Sequence, residues 1–183
     1  MSVFFISDLH IGHIGAIRFD NRPFQSLEEE NHAITANWNN TVSDNDEVYI
    51  LGDLIWEKNM ALDVIRKLKG RKHMISGNHD KFSTDIEKCF ESISDYKVIV
   101  VNHQRIVLSH YPIAFWYGQH RKTVLLYGHL HNTDEENIFR NFISGLAESG
   151  NPAECYNTGC MMPYMNYTPR TLEQIRAGFS GGL

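Results

Sequence analysis

The sequence predicts an α/β fold, in which a mixed sheet or two packed sheets are covered on the outside by helices. The first half alternates strands with helices, and its strands are predicted at residues 3–7, 47–51 and 72–76. The second half holds mainly short β-rich runs, predicted at residues 97–101, 105–109, 123–127 and 154–158. Alternation indicates parallel strands joined by helices, whereas the succession of strands in the second half indicates mostly antiparallel pairing.

The first predicted helix begins after Ser26, which has the spacing of a capping box with Glu29. Leu27, Ile34 and Trp38 fall on one face of this helix. A single apolar face is typical of a helix that covers a sheet, so we expect these three side chains in the core.

The later elements follow from similar signals. The second predicted helix turns three aliphatic side chains inward, namely Leu62, Ile65 and Leu68. Gly70 is its expected C-cap. A third helix is predicted over residues 135–146, and Asn102-His103-Gln104, between two β-rich runs, predicts a hairpin.

Chain length and composition bound the organisation. The 183 residues are enough for one domain with a sizeable core, and we expect it over residues 1–179 with a disordered tail at 180–183. The chain is 42% hydrophobic and 21% charged, which is typical of a soluble globular protein. The formal net charge of −5 disfavours a protein whose main task is gripping the nucleic-acid backbone, although a local basic patch is compatible with it.

Several features indicate a cytoplasmic protein without a membrane partner. The apolar residues 1–6 have no basic region before them, so they predict a first strand and not a signal peptide. No run approaches the ~18 apolar residues of a membrane span. Cys89, Cys155 and Cys160 lack Cys-x-x-Cys spacing and are interpreted as buried core thiols in a reducing compartment.

Five predicted strands end in residue types that ligate metals. The clusters are Asp8-Leu9-His10, Gly52-Asp53, Gly77-Asn78-His79-Asp80, Ser109-His110 and Gly128-His129-Leu130-His131. Strand ends place polar groups at the carboxyl edge of a sheet, and mixed carboxylate and imidazole donors suit Mn, Fe, Zn, Co or Ni ions. Each cluster alone fits a turn or a surface segment equally well, but together they predict a metal centre.

Spacing within two of these clusters carries a geometric expectation. Asp8 and His10, like His129 and His131, are two residues apart. Such side chains point the same way from an extended chain, so we expect each pair to reach one site. Glycines inside the clusters are expected to permit tight turns at the strand ends.

Together these blocks resemble the calcineurin-like metallophosphoesterase superfamily over residues 3 to about 131, with the strand near Asn157 as a further match. The resemblance implies a four-layer α/β/β/α sandwich of two mixed β-sheets flanked by helices. It also implies two divalent metal ions at the strand ends, with manganese the first expectation. The implied activity is hydrolysis of a phosphate ester by hydroxide held between the metals.

The resemblance also assigns roles to individual residues. It implies three ligands for the first metal and three for the second, namely Asp8, His10 and His131, then Asn78, His110 and His129. Asp53 matches the carboxylate shared by both metals. His79 matches the histidine that faces the substrate, and Asp80 matches the carboxylate that orients this histidine.

The sequence departs from the protein-phosphatase branch of this superfamily. That branch carries Asp-Arg-Gly shortly after the second block, whereas here Asp53 is followed by Leu54-Ile55-Trp56-Glu57. It also carries Glu after Asn-His, where this chain has Asp80. The short chain resembles small bacterial phosphoesterases, so we expect a small phosphate-ester substrate. With the arginine missing, a diester monoanion is favoured over a monoester dianion.

Two other functions are compatible with the same residues. The first is a nuclease that uses the same metal chemistry on DNA or RNA, which the net charge disfavours. The second is a non-catalytic metal-binding interaction scaffold. Such scaffolds tend to lose metal ligands or the catalytic histidine, whereas His79 and all seven implied ligands are present here.

Further candidates near the site have two interpretations each. His13 is either a substrate-binding residue that faces the cleft or a solvated loop histidine. Arg22 is either a bidentate phosphate clamp or a surface arginine. Trp56 either lines the cleft or packs in the core. Three aromatic residues after His110 either form an aromatic wall or simply pack, namely Phe115, Trp116 and Tyr117.

Overall fold

The structure, a computed structural model, describes residues 1–179 and contains two four-stranded sheets. The first sheet has the order β1-β2-β3-β4, with strands Val3–Ile6, Glu47–Leu51, Arg71–Ile75 and Ser92–Ser94. The second has the order β5-β6-β7-β8, with strands Tyr96–Val101, Gln104–Ser109, Val124–Tyr127 and Cys155–Asn157. The tail predicted to be disordered, 180–183, lies outside the described residues.

The helices connect and cover these sheets. The α-helices are α1 Ile14–Phe19, α2 Leu27–Thr41, α3 Lys58–Ile65, α4 Thr84–Glu87, α5 Asp134–Glu148 and α6 Leu172–Gly178. Ser26 caps α2 by accepting a hydrogen bond from the backbone N–H of Glu29, as the sequence predicts. Helix α3 ends at Ile65, earlier than expected, and Gly70 with φ +84° turns the chain into β3. Among residues 1–179, no helix is long and apolar enough to cross a membrane.

The side chains of β6 alternate between the two faces of the second sheet, and their packing shows the order of the layers. Ile106 and Leu108 of β6 pack in a core shared with the first sheet and with α2 and α3. Val107, between them, packs on the opposite face with Ile143 of α5. The sheets therefore face each other, with helices outside, which confirms the predicted four-layer α/β/β/α sandwich.

Strand direction agrees in the first sheet with the parallel pairing expected from the strand–helix alternation, and differs from the expectation in the second sheet. The first sheet is parallel throughout and not mixed. In the second, only β5 and β6 are antiparallel, while β6-β7 and β7-β8 are parallel. The prediction of mostly antiparallel pairing was wrong, because long connections let β7 and β8 return in the same direction. The β5–β6 hairpin is confirmed, and its two-residue turn places Asn102 and His103 at φ 47° and 65°.

Candidate metal centre

Loops at the carboxyl ends of strands from both sheets converge on one site. The sheets meet there, since Ser7 after β1 forms a parallel bridge with Gly159 after β8. Two groups of three side chains could each hold a metal ion. Within each group, the three ligand atoms lie within 4.8 Å of one another. We call Asp8, His10 and His131 the first triad, and Asp53, His110 and His129 the second triad.

The backbone at these residues is left-handed, not extended. Five of the six triad residues have positive φ values between 48° and 71°, namely Asp8, His10, Asp53, His129 and His131. Such conformations cost on the order of 1–3 kcal/mol each and cluster at functional sites. The spacing argument assumes an extended chain and therefore explains neither pair. Asp8 and His10 share a triad as expected, but through left-handed backbone, whereas His129 and His131 turn into different triads.

The glycines in these loops mainly allow carboxylate side chains to approach the backbone closely, and only one of them is needed for a turn. A Cβ on Gly77 would lie 2.2 Å from Oδ1 of Asp53. One on Gly128 would lie 2.5 Å from Oδ2 of Asp8. Only Gly52, with φ +87°, meets the expectation that glycine allows a left-handed turn here.

The first triad is compact and buried. Nε2 of His10 lies 3.1 Å from Nε2 of His131, and Oδ1 of Asp8 lies 3.7 Å from that same His131 atom. The Asp8 carboxylate accepts hydrogen bonds from the Ser7 hydroxyl at 2.6 Å and from the backbone N–H of His129. These donors fix the carboxylate, so its position does not depend on solvent.

A buried charged network, Asp20, Arg22 and Glu30, supports the first triad from behind. Nδ1 of His131 donates to Oδ1 of Asp20 at 2.7 Å. Arg22 donates to Oδ2 of Asp20 at 2.7 Å and to Glu30 at 2.8 Å. A carboxylate on the far nitrogen of a ligating histidine fixes its tautomer and increases its basicity. The sequence interpretation missed Asp20, which lies 111 residues from His131 and in none of the five clusters.

The expectation that Arg22 clamps a substrate phosphate was wrong, as was the alternative that it lies on the surface. Arg22 is only 4% exposed, and its guanidinium also donates to the backbone carbonyls of Asp8 and Leu9. With these partners no donor remains directed at the cleft. Arg22 instead holds the loop that presents the first triad.

The second triad reaches toward the first through Asp53. Oδ2 of Asp53 lies 3.4 Å from Nε2 of His110 and 3.7 Å from Nε2 of His10, which belongs to the first triad. Its other oxygen accepts from the backbone N–H of His79. Oδ2 of Asp53 therefore lies between the two triads, the geometry required of a shared carboxylate.

Asn78 lies beside the second triad. Its Oδ1 is 3.2 Å from Nε2 of His110 and 3.3 Å from the hydroxyl of Tyr111. Nδ1 of His110 donates to the backbone carbonyl of Leu51 at 2.9 Å. The structure thus brings all seven predicted ligands to one place, the six triad residues and Asn78.

Burial and neighbouring groups shift the pKa values toward the metal-binding protonation states at His10 and Asp53, and away from them at Asp8 and His131. Burial, and after it the nearby imidazole of His131, lower the pKa of His10 to about 3. Burial raises the pKa of the Asp53 carboxyl, but hydrogen bonding and charge from His110 lower this pKa more, to about 2. Burial lowers the pKa of His131, whereas its hydrogen bond to Asp20 raises it to a net value above the ordinary one. Neutral imidazole and ionised carboxylate are the states that metals require.

The buried charges provide a test of whether the site fits metal ions. Asp8 and Asp53 are at most 2% exposed, and within residues 1–179 neither forms an ion pair with lysine or arginine. A buried carboxylate is costly unless positive charge compensates it. Two divalent cations, one per triad, would supply that charge, and the carboxylate, imidazole and amide donors suit transition metals.

His79 and Asp80 lie next to the triads but differ from the expectation in how they relate. His79 is exposed and belongs to neither triad, with its ring 5.5 Å from that of His10. The Asp80 carboxylate accepts four hydrogen bonds, all from backbone N–H groups, and within residues 1–179 none comes from the His79 ring. The expectation that Asp80 orients His79 was therefore wrong. Asp80 instead joins the loop around Asp53 to the loop around Gly77.

An open cavity of about 340 Å³ adjoins the triads. Its wall contains ligands of both triads, together with His13, Phe19, Trp56 and His79. The cleft-facing interpretations of His13 and Trp56 therefore agree with the structure. Of the two interpretations of the aromatic residues after His110, packing holds for Trp116, which lies in the core. Phe115 and Tyr117 are exposed, and neither is among the described residues that line the cavity.

Comparisons with known proteins agree with this geometry. The chain is 39% identical over 132 residues to the uncharacterized protein MJ1445 of Methanocaldococcus jannaschii. The matched residues cover 70% of this chain and 69% of that protein. It is 30% identical over 162 residues to the Gene 66 protein of Mycobacterium phage L5, covering 72% and 78% of the two chains. The structure of the protein of unknown function AQ665 from Aquifex aeolicus matches with a TM-score of 0.72 and 28% identity, covering 96% of this chain and 97% of that one.

The match to a family model covers most of the chain. The model of the calcineurin-like phosphoesterase superfamily domain matches residues 1–169. That range contains both triads and His79. The chain therefore belongs to the calcineurin-like phosphoesterase superfamily.

Proposed function

We propose that this protein hydrolyses a small phosphodiester with two divalent transition-metal ions, manganese being the first choice, held by the two triads. The observation that carries the proposal is the position of Asp53, whose Oδ2 lies within 3.7 Å of a histidine nitrogen from each triad. A carboxylate at this position can join two cations in one centre. Two such ions would acidify a water molecule and offset the charge of the phosphate.

The residues of the chain divide the remaining work. Asp53, which lines the cavity, and Asp8, which is buried in the first triad, bring negative charge that would attract cations. Nε2 of His131 and Nε2 of His110 are available to bind cations, since Nδ1–H of His131 donates a hydrogen bond to Asp20 and Nδ1–H of His110 donates one to the Leu51 carbonyl. Asn78 adds a neutral oxygen at the exposed side of the second triad.

His79 is assigned the proton transfer. In hydrolysis the oxygen of water forms a bond to phosphorus, the bond from phosphorus to the leaving oxygen breaks, and the leaving oxygen takes a proton. His79 faces the cavity without belonging to a triad, so its imidazole is available to donate that proton. Its backbone is tied to Asp53 by a hydrogen bond of 2.9 Å, which keeps the ring near the triads.

The charge of the cavity supports a diester substrate. Among the described residues that line it, none is lysine or arginine. Arg22, the nearest arginine foreseen from the sequence, is buried among acidic partners. A monoester dianion needs more compensating charge than a diester monoanion, so the lining favours the diester.

The positions of the basic side chains disfavour a nucleic-acid polymer as the substrate. Five basic residues lie at the end of α3 and the start of β3, namely Arg66, Lys67, Lys69, Arg71 and Lys72. This is the amino end of the first sheet, opposite the strand ends that carry the triads. A nuclease needs basic side chains along its cavity to hold the phosphate backbone, and the described residues that line this cavity include neither lysine nor arginine. A non-catalytic scaffold is also disfavoured, because both triads and His79 are intact.

The proposal is tested with manganese-loaded protein and two chromogenic esters, bis(4-nitrophenyl) phosphate and 4-nitrophenyl phosphate. We expect a higher kcat/KM for the diester. A clear preference for the monoester would overturn the diester assignment. Absence of hydrolysis by protein that binds two metal ions would overturn the enzymatic proposal for both ester classes.

The variant His79→Ala separates catalysis from metal binding. We expect it to keep two metal ions and to lose about 10²–10⁴-fold in kcat, the usual contribution of a positioned acid. His32→Ala, an exposed histidine on α2, is the matched control and should behave like the wild type. If His79→Ala lost metal, His79 would be a ligand and the role given to it here would be wrong.

A further inference from the structure

Three aromatic side chains form one side of the cavity mouth. We call Phe19, His13 and Trp56 the aromatic rim, and all three line the cavity. Phe19 is 58% exposed and Trp56 is 44% exposed, although large apolar side chains are usually buried. Trp38 and Trp116, the other tryptophans of the chain, are buried. The rim therefore presents apolar surface beside a polar centre.

The rim is held by backbone contacts between two loops. Ile11 and Ile55 form a parallel bridge, and the carbonyl of Ile11 accepts hydrogen bonds from the N–H groups of Trp56 and Glu57. Gly12, with φ +93°, lies so close that a Cβ would be 2.6 Å from Cβ of Glu57. These contacts fix the loop after β1 against the loop after β2, so the rim is preformed.

Stacking inside the rim orients the indole of Trp56. The ring of His13 lies parallel to it, with centroids 3.5 Å apart and planes 2° apart. Phe19 meets His13 edge-on at 5.4 Å. Because His13 covers one face of the indole, the exposed surface of Trp56 belongs to its other face and its edges.

The rim adjoins the group that would protonate the leaving oxygen. The centroids of Trp56 and His79 are 5.0 Å apart. At the opposite end, Phe19 lies 5.9 Å from His131 of the first triad. A leaving group whose oxygen meets His79 can therefore place a ring beside the indole of Trp56.

We propose that the aromatic rim binds a flat ring on the leaving group, so that the substrates are small phosphodiesters of an aryl alcohol or a nucleoside. The proposal rests on the proposed function, since it assigns the substrate class of the same site. The cavity volume of about 340 Å³ falls within the range of sites for small organic ligands. Stacking suits this surface, because a ring face has affinity for exposed aromatic side chains with little demand on hydrogen bonding.

The test compares Trp56→Ala with the wild type on three diesters, each referred to its own wild-type rate. Bis(4-nitrophenyl) phosphate carries aryl groups, a dinucleoside monophosphate carries bases, and bis(2,2,2-trifluoroethyl) phosphate carries no ring. We expect kcat/KM to fall about tenfold for at least one ring-bearing ester, the scale of one lost aromatic stack, and less than twofold for the ring-free ester. The arm with the larger loss identifies the aryl or the nucleoside source.

Controls keep this result specific to the rim. Trp56→Phe keeps an aromatic face and should recover most of the lost rate. Phe115→Ala removes an aromatic side chain that is 66% exposed but outside the cavity, and should change none of the three rates. An equal loss on all three esters in Trp56→Ala, with two metal ions still bound, would overturn the proposal.

Fluorescence separates this proposal from the proposed function. Because Trp56 is the exposed tryptophan, diphenyl phosphate should quench the emission of metal-loaded wild type saturably, while dimethyl phosphate should not. Quenching should disappear in Trp56→Phe. If no ester were hydrolysed, the proposed function would fail and ring-selective quenching would still support the rim. Equal quenching by both phosphates would overturn the rim in either case.

Discussion

The two triads use similar residue types but are supported in different ways. In the first, His131 donates its far proton to the carboxylate of Asp20, which Arg22 fixes in turn. In the second, His110 donates to a backbone carbonyl, and its outer neighbours Asn78 and Tyr111 are exposed. The first triad is thus backed by buried charge, and the second by a neutral dipole and solvent.

This difference predicts unequal metal sites. A carboxylate partner makes an imidazole a stronger donor than a carbonyl partner does. We therefore expect the first triad to hold its cation tightly and the second to exchange its cation more readily. Asp53, which lies between the triads, should couple the two sites.

The largest effect on metal binding and turnover is expected from Asp53→Asn, because Asp53 lies between the two triads. The amide keeps the shape and can still accept from the backbone N–H of His79, so the fold should remain intact. Loss of the shared negative charge should weaken both metal sites and abolish turnover. Metal content and circular dichroism of the purified variant measure this. Two retained metals and a near-normal rate would exclude a shared role for Asp53.

Metal removal should next distinguish the triads in the wild type. Titration of the loaded protein with a chelator is expected to release one equivalent before the other, because only the first triad has a carboxylate behind its histidine. Metal analysis after each addition follows the release. Simultaneous loss of both ions would contradict the inequality of the triads.

A more selective change is Asp20→Asn, which replaces the carboxylate behind His131 by a weaker acceptor. We expect affinity at the first triad to fall about 10–100-fold while affinity at the second changes little. Isothermal titration with manganese measures both sites. Glu30→Gln is the matched control, since Glu30 also pairs with Arg22 but does not contact His131. An equal loss in both variants would show that only the stability of the buried network matters.

The smallest effect is expected at the exposed side of the second triad. Tyr111→Phe removes a hydroxyl that donates to Oδ1 of Asn78 at 3.3 Å. A neutral, exposed hydrogen bond contributes about 1 kcal/mol at most, so affinity at the second triad should fall no more than about fivefold. Tyr117→Phe, on an exposed tyrosine outside the cavity, should have no effect. If Tyr111→Phe lost more metal affinity than Asp20→Asn, the proposal that the first triad is the more strongly supported one would be wrong.

Local patterns predicted some elements of the fold well and missed others. Strand β2 has the predicted bounds, 47–51, because its apolar residues are flanked by polar turns. Strand β4, Ser92–Ser94, was missed since its sequence, Ser-Ile-Ser, contains a single apolar residue. Helix α6 was also missed, although Thr171 and Gln174 form a capping box that the sequence displays.

The sequence by itself determined the class of fold and the residues that make up the candidate site. Residue types at successive strand ends marked the five clusters, because a ligand must carry a particular donor whatever surrounds it. The family resemblance then implied which seven of these residues are ligands and that His79 is not. The α/β sandwich followed from the order of strands and helices and from the family resemblance.

Only the tertiary structure decided how these residues work together. It divided His129 and His131 between the triads through left-handed backbone, which residue spacing cannot reveal. In the tertiary structure, Arg22 donates to backbone carbonyls away from the cleft, and Asp80 accepts from backbone N–H groups. Asp20 accepts a hydrogen bond from His131, which lies 111 residues away in sequence. Each of these roles is set by which partner satisfies a buried charge, and that partner is chosen by packing between segments distant in sequence.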